Sequence, residues 1–283
     1  KRFPADNTLA VIWGHGSGFR GARRDIADDA YGLSLDIPEI EDSLRRARLE
    51  RPNQSKLTIL GFDACLMNML EVVHHLRHEA EIIVGSQQTE PGDGWRYDHV
   101  LSAIKASDSA EDLARQIVNL YIADCERQGR LNVTQSAVIT GNTGEAIAAL
   151  GELGNELAAL LKNADTGQTT REEMMRLRRN AQSFAYADYV DLIDFARRLG
   201  PVGLSPNIEA LSTRVIESAR RCLIPEAVGR FGEGVADANG ISIWFPSDAL
   251  FYGIYRQKYV NLNFVKTSTG WLGFLDALFS VSR

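Results

Sequence analysis

Short apolar runs alternate with helical patterns in the N-terminal part of this sequence. Residues 8–13, 56–62 and 81–86 are apolar and bounded by turn-forming residues, which predicts buried strands. Residues 37–50 and 65–79 have the apolar spacing of amphipathic helices. Strands that alternate with helices favour right-handed crossovers and a parallel sheet covered on both faces. We therefore predict an α/β fold, a three-layer α/β/α sandwich with a mostly parallel sheet.

The second half of the sequence is mainly helical in pattern. We predict a fourth strand at 133–140, a further strand at 241–245, and helices at 97–106, 110–128, 143–163, 170–184, 188–199 and 206–222. The strands give way to helices near residue 143. We therefore predict a catalytic α/β core at 1–142 and a helical continuation at 143–283, packed on the same domain.

Composition excludes several classes of function. The net charge is -6 and the basic residues are scattered, which argues against a nucleic-acid or anionic-membrane partner. No apolar run approaches the ~20 residues that span a bilayer. Three cysteines at irregular spacing do not form a disulfide framework.

Two of the predicted strands end in residues that can carry chemistry. His15 follows the first strand within a glycine-rich turn, and Cys65 follows the second strand. Because ligand sites in such sheets form beyond the carboxyl ends of the strands, both side chains are expected at one edge. Taken alone, Cys65 is more often a small buried hydrophobic residue, as we expect for Cys125 and Cys222. A lone histidine is likewise more often structural.

As a pair, however, Cys65 and His15 have the composition of a nucleophile and its base. The thiolate is the reactive form, and a helix N-terminus and a neighbouring imidazolium both favour it. We predict that Cys65 opens a helix and that His15 is the imidazole. The backbone N–H groups of Gly16 and Cys65 are then candidates to bind an oxyanion.

Three histidines lie close together at 74, 75 and 78, a spacing that also occurs in zinc sites. The glutamate-bearing metalloprotease pattern is absent. His75 and His78 fall mostly opposite the apolar stripe of the predicted helix, so we predict a solvated face and assign no metal.

Several segments resemble the clostripain-like cysteine peptidases, which share a structural clan with caspases, gingipains and legumain. The similar segments occur in family order over roughly residues 8–246. They are Trp13-Gly14-His15-Gly16-Ser17-Gly18, Gly61-Phe62-Asp63-Ala64-Cys65-Leu66-Met67, Glu90-Pro91-Gly92-Asp93-Gly94-Trp95, Asp191-Leu192-Ile193-Asp194-Phe195-Ala196 and Gly240-Ile241-Ser242-Ile243-Trp244-Phe245-Pro246.

The resemblance implies a caspase-haemoglobinase-like fold and a Cys–His dyad endopeptidase that cleaves proteins or peptides after arginine or lysine. His15 and Cys65 match the dyad. Asp63 matches the acidic residue of the S1 pocket, and a carboxylate is the natural partner of a guanidinium or ammonium group. Helix capping is an equally good account of Asp63 from the residues alone. Asp93 is a weaker pocket candidate, with a turn residue as its alternative.

The family also matures by cutting itself after basic residues downstream of the histidine. Arg20, Arg23 and Arg24 lie in that window, within a polar loop at 19–29 that we expect to be exposed, and an ordinary charged loop is the alternative. Some members need calcium. Asp25, Asp28 and Asp29 offer oxygen ligands without the spacing of a calcium loop, so no cofactor or metal site is assigned.

The resemblance also implies a secreted or periplasmic bacterial protein, and an upstream strand–helix unit that pairs beside the His15 strand. Either that unit is a separate or cleaved segment of the same gene product, or this chain is a divergent or inactive form. Two alternatives to hydrolysis remain open. One is a non-catalytic relative that binds peptides or regulates a partner, and the other is a peptide ligase or transpeptidase.

Overall fold

A computed structural model describes residues 5, 7–23, 34–51, 53–105 and 107–280. In chain order the strands are β1 (Leu9–Trp13), β2 (His15–Gly16), β3 (Ala22–Arg23), β4 (Ser34–Leu35), β5 (Leu57–Asp63), β6 (Ala80–Gly85), β7 (Val133–Ile139), β8 (Tyr189–Asp191), β9 (Leu223–Phe231) and β10 (Ser242–Trp244).

The described helices up to residue 222 correspond to predicted ones, whereas those after residue 248 do not. The α-helices are α1 (Ile37–Leu49), α2 (Leu70–His75), α3 (Tyr97–Ala103), α4 (Ala110–Arg127), α5 (Thr143–Lys162), α6 (Gly167–Asn180), α7 (Leu192–Leu199), α8 (Pro206–Cys222), α9 (Ala249–Val260), α10 (Asn263–Thr267) and α11 (Gly270–Phe279). In the described ranges, no helix has both the length and the apolar character needed to cross a membrane.

The described strands form one central sheet and two small ones. The central sheet has the order β1-β5-β6-β7-β9. Its first three strands pair in parallel, whereas β7 runs antiparallel to both of its neighbours. Four of these five strands therefore point the same way, which confirms the prediction of a mostly parallel sheet. β10 pairs with β8, and β2, β3 and β4 form a small antiparallel sheet.

Each face of the central sheet carries its own core. Ile59, Ile82 and Val84 pack with α3 and α4 on one face, whereas Leu60 and Ile83 pack with the remaining helices on the other. Alternate residues of a strand point to opposite faces, so both faces of β5 and β6 are buried. These layers confirm the predicted α/β/α sandwich.

β8 and β9 are among the described strands that the sequence patterns do not predict. β9 is an edge strand of the central sheet that contains Pro225 and Gly229. Both residue types normally argue against a strand, and an edge position is where proline is tolerated. β8 has only three residues and runs directly into α7, so its apolar residues read as the start of one helix at 188–199.

The helix after β5 starts later than the sequence predicts. Cys65 does not open it, because α2 begins at Leu70. The intervening backbone bonds to the chain after β6 instead: the Leu66 N–H donates to Gln88 O at 3.1 Å and the Asn68 N–H to Ser86 O at 3.0 Å. These hydrogen bonds between two loops take the place of the hydrogen bonds that a helix starting at Cys65 would have. A helix N-terminus therefore does not support the Cys65 thiolate.

The loop that follows β2 is buried at its start rather than exposed. Phe19 has no exposed surface, and its ring packs 5.1 Å from Trp244 and 5.3 Å from Tyr259, between ring centroids. The prediction of an exposed polar loop from residue 19 is therefore wrong at its beginning. An aromatic cluster from the C-terminal part of the chain covers this residue, which the local sequence could not indicate.

His74 and His75 are buried, which corrects the prediction of a solvated face for His75. The His74 ring nitrogens lie 2.9 Å from Thr143 Oγ1 and 2.8 Å from Thr267 Oγ1. His75 Nδ1 accepts from the Asn263 N–H at 3.0 Å. Burial lowers the pKa of His74 to about 3 and that of His75 to about 4. These histidines join α2 to the C-terminal helices, whereas His78 is exposed as predicted.

Glu71 is a fully buried carboxyl at the same junction. Its Oε1 accepts from the Trp244 N–H at 2.7 Å and from the Tyr259 hydroxyl at 3.0 Å, while Oε2 has no partner among the described residues. Burial raises the pKa of Glu71 to about 7. A carboxyl with so little solvation is most stable in its protonated form.

We predict that Glu71 makes the fold less stable as the pH rises. The folded protein keeps a proton that an unfolded carboxyl, with a pKa of 4.5, releases. The stabilisation from this proton is complete below about pH 4.5 and is lost as the pH rises to about 7. Each pKa unit corresponds to ~1.4 kcal/mol, so the free energy of unfolding falls by about 3 kcal/mol over this range. Urea unfolding of the natural protein and of Glu71→Gln at both pH values measures this loss.

The comparison uses the difference between the two proteins, because His74 and His75 act in the opposite direction. Their pKa values are lowered, so their contribution is complete above about pH 6.5 and is lost as the pH falls. The advantage of the natural protein over Glu71→Gln should shrink with rising pH. An equal difference at both pH values contradicts the assignment.

Candidate active site

The pairing of β1 with β5 brings the two candidate catalytic residues to one edge of the sheet. The strands are parallel, and Trp13 is the register partner of Asp63. His15 and Cys65 each lie two residues beyond that pair. The Gly14 N–H donates to Asp63 O at 3.2 Å, which extends the contact past the ends of the strands. The expected juxtaposition at the carboxyl ends is thus present.

The glycine after His15 packs directly on the backbone of Cys65. A Cβ placed on Gly16 would lie 2.1 Å from Cys65 O and 2.9 Å from Met67 Cγ, so only glycine fits. His15 itself is exposed, while Gly16 is buried. The turn is also held from the other side, because His15 pairs with Arg23 in the small sheet. The backbone of the His15 turn is therefore held against the backbone of Cys65, and the His15 side chain is exposed.

Cys65 lies in a turn that its neighbours hold tightly. Leu66 has a φ of 66°, a left-handed conformation that is strained for a branched side chain, and such strain is often found at active sites. The Glu90 N–H donates to Cys65 Sγ at 3.2 Å. No described residue accepts a hydrogen bond from the Cys65 N–H, so this donor is available to an oxyanion.

The other two cysteines are buried, as predicted. Cys125 is inside α4 and Cys222 at the end of α8. Burial raises the pKa of both thiols, that of Cys222 to about 12. They are therefore poor nucleophiles at neutral pH.

Asp63 lies at the bottom of the same edge and is 2% exposed. Its Oδ2 accepts from the Trp95 N–H at 3.0 Å and from the Tyr97 hydroxyl at 2.7 Å. A Cβ on Gly94 would lie 2.6 Å from the same oxygen. Asp63 does not cap α2, which has Met69 at that position. The capping alternative is therefore excluded, and the loop at 90–97 encloses the carboxylate.

Asp93 belongs to that loop, but its side chain points elsewhere. It is more than half exposed and pairs with Arg130 Nη2 at 3.1 Å. A surface ion pair of this kind contributes little to stability and is easily exchanged. The carboxylate that the 90–97 loop encloses is therefore that of Asp63, whereas Asp93 is at the surface.

Arg20, a candidate for self-cleavage, is held in an aromatic cage. Its guanidinium lies 3.7 Å from the ring centroid of Tyr255 and 4.9 Å from that of Tyr186, and it pairs with Asp188 Oδ2 at 3.0 Å. Such a side chain is not available to an S1 pocket in this conformation. Arg23 lies in β3, and Arg24 lies outside the described residues.

No metal site emerges from the described part of the chain. It contains no group of three or more His, Cys, Asp or Glu side chains arranged to hold an ion. Asp25, Asp28 and Asp29 lie outside the described residues. No step of the chemistry is therefore assigned to calcium.

Comparisons with known proteins decide the family. A family model described as the clostripain family matches residues 1–277. The chain belongs to the clostripain family. It is accordingly a cysteine-type peptidase. Among curated proteins, none matches this sequence.

Solved structures of C11 proteases, the group to which this family model refers, share the fold. An inactive zymogen C11 protease from Parabacteroides distasonis is 18% identical, with a TM-score of 0.64 over 94% of this chain and 71% of that chain. A secreted C11 cysteine protease from Bacteroides thetaiotaomicron, in complex with an irreversible peptide inhibitor, is 17% identical, with a TM-score of 0.62 over 94% and 73%. A B. fragilis cysteine protease is 17% identical, with a TM-score of 0.62 over 88% and 97%.

The later clostripain-like segments brace the site rather than enter it. Asp191, fully buried, accepts from Gln87 Nε2 at 3.0 Å and from the Asn239 N–H at 2.6 Å. Gln87 Oε1 in turn accepts from the Gly240 N–H at 2.7 Å. These bonds tie the chain after β6 to β8 and β10, and so fix the start of the loop that encloses Asp63.

Sequence reasoning missed Glu90 as a member of the site. Its backbone contacts Cys65, and its side chain accepts from Trp95 Nε1 at 2.9 Å. In the sequence, the segment that begins at Glu90 resembles the family, and Asp93 is its only candidate for the pocket. Its position just after the strand that neighbours β5 is the signal that could have found it.

We predict that Gly16→Ala disables the site without unfolding the protein. The added methyl group clashes with the Cys65 carbonyl, so the His15 turn must move away from the cysteine. Alkylation of Cys65 by a peptide electrophile should slow by about 100-fold, the scale of a ~1 Å misplacement. Gly92→Ala is the matched control, because nothing lies within 4 Å of its Cβ position. Equal rates for the two variants contradict the packing argument.

Proposed function

We propose that this chain is an endopeptidase that cleaves after arginine or lysine through a Cys65–His15 dyad. The observation that carries the proposal is the β1–β5 register, which sets both side chains two residues beyond the paired strand ends. Membership of the clostripain family supports the reaction class. Peptide or protein substrates are supported by the peptide inhibitor in the complex from Bacteroides thetaiotaomicron.

The proposed reaction is acyl transfer by way of a thioester. His15 takes the thiol proton of Cys65, and the thiolate attacks the carbonyl carbon after the basic residue. The N–H groups of Gly16 and Cys65 hold the oxyanion. As the intermediate collapses, the His15 imidazolium gives its proton to the leaving amine. Water then attacks the thioester with His15 as base, which releases the carboxylic acid and restores the thiol.

Asp63 is the proposed partner of the basic side chain. It lies two residues before the nucleophile, and therefore close to where the substrate side chain next to the scissile carbonyl would enter. A buried carboxylate forms strong charge-assisted hydrogen bonds with a guanidinium or ammonium group. We assign Asp93 a secondary role at the rim, where release of Arg130 would free its carboxylate.

We also propose self-processing within residues 19–29. The zymogen form recorded for the C11 protease from Parabacteroides distasonis supports a precursor stage in related proteins. The cage around Arg20 disfavours it as a cut site and leaves Arg23 and Arg24. N-terminal sequencing of fragments from the incubated chain locates the cut. Persistence of the same cut in Cys65→Ala excludes an autocatalytic origin.

Two further proposals concern the setting of the protein. Secretion is supported by the secreted C11 protease among the similar structures. Pairing of an upstream segment with β1 is supported by the outer edge of that strand, which has no partner strand among the described residues. Val11, in the middle of β1, is also only half-buried.

We predict that an arginine-based electrophile modifies Cys65 alone. The thiols of Cys125 and Cys222 are buried and have raised pKa values, so they serve as internal controls on the same chain. Peptide mapping by mass spectrometry identifies the modified residue. His15→Ala should slow the labelling by about 100-fold or more, as expected for loss of a general base.

Two outcomes would overturn the dyad. One is cleavage of an arginyl-amide substrate by Cys65→Ala at the rate of the natural protein. The other is labelling of Cys65 that is indifferent to His15→Ala. Product masses equal to hydrolysis products, without transfer to added amines, separate a peptidase from a ligase.

A further inference from the structure

Glu90 contacts the proposed nucleophile and binds the same tryptophan as the proposed specificity carboxylate. Its N–H donates to Cys65 Sγ at 3.2 Å. Its Oε2 accepts from Trp95 Nε1 at 2.9 Å, and the Trp95 N–H donates to Asp63 Oδ2 at 3.0 Å. The residue as a whole is half-buried. Two acidic side chains thus converge on Trp95 beside Cys65.

A buried acceptor without a donor lies beside this pair. Gln135 is 1% exposed, and its Nε2 donates to Glu90 Oε1 at 3.4 Å. Its Oε1 is buried and has no hydrogen-bond partner in the described part of the chain. Unpaired buried acceptors are costly and uncommon in native proteins. A group that satisfies this oxygen must supply a hydrogen-bond donor.

We propose that Glu90 is a second specificity carboxylate, which receives the cationic end of the substrate side chain together with Asp63 and the amide oxygen of Gln135. A guanidinium offers five N–H donors and no acceptor, which matches two carboxylates and one carbonyl oxygen. This inference rests on the proposed cleavage after basic residues. It adds the residue that completes the pocket.

Without a cation beside it, Glu90 favours its protonated form. Burial, and next to it the charge of Asp63, raise the pKa of Glu90 well above its usual range. The titratable groups that face Glu90 are Asp63, Cys65, Tyr97, Tyr121 and Cys125. The two tyrosines and Cys125 have raised pKa values and stay neutral. When a guanidinium enters, its charge favours ionised Glu90, and the carboxyl proton passes to solvent.

Calorimetry of ligand binding tests this exchange. In Cys65→Ala, a peptide that ends in arginine amide is compared with the same peptide ending in citrulline, in buffers of different protonation enthalpy near pH 7. We expect the arginine peptide to bind more tightly and to release a proton. Adding Glu90→Gln should weaken the binding of the arginine peptide by about 10-fold or more and abolish its proton release. The affinity for the citrulline peptide should be unchanged. Glu81→Gln, an exposed position on β6, is the matched control.

The outcomes separate this inference from the proposed function. If neither peptide is preferred, basic-residue specificity fails and this inference fails with it. If Asp63→Asn removes the preference while Glu90→Gln leaves affinity and proton release intact, only the role of Glu90 is overturned. Should Glu90→Gln not fold, Gln135→Met gives the test: weaker arginine binding with unchanged proton release supports the pocket, and unchanged affinity refutes it.

Discussion

The parallel register of β1 and β5 is the constraint on which the site depends. It pairs Trp13 with Asp63, and the chain needs only two more residues on each strand to reach His15 and Cys65. A slip of one residue would send every side chain of the shifted strand to the opposite face. The close fit of Gly16 on the Cys65 carbonyl then fixes the turn. Sheet pairing and one glycine therefore set the geometry of the proposed dyad.

The C-terminal half of the chain stabilises this edge from outside. Phe19, just past the histidine turn, is enclosed by Trp244 and Tyr259, and Arg20 is held by Tyr255 and an ion pair with Asp188. Another set of bonds, through Asp191 and Gln87, fixes the chain that leads to Glu90. The helical continuation thus holds both loops that carry the site, although it contributes none of the proposed catalytic groups.

The sequence predicts four of the five described strands of the central sheet, the helices up to residue 222 and the two strand ends, because local apolar patterns and turn residues determine them. It does not predict what long-range contacts decide. The late start of α2 depends on bonds from Leu66 and Asn68 to the chain after β6. The burial of Phe19 and His75 depends on residues far along the chain. The resemblance to the family identifies Asp63 as a candidate, whereas Glu90 becomes a candidate only from the folded structure, where the 90–97 loop lies over Asp63.

Trapping of the acyl-enzyme tests the central claim most directly. An arginyl ester is mixed with the natural protein, and the reaction is quenched in acid within one turnover. The protein is then digested, and the acylated peptide is identified by mass spectrometry. The account predicts a thioester on Cys65, with no acylated peptide from His15→Ala on the same timescale. An acyl group on any other residue, or hydrolysis with no covalent intermediate, would contradict it.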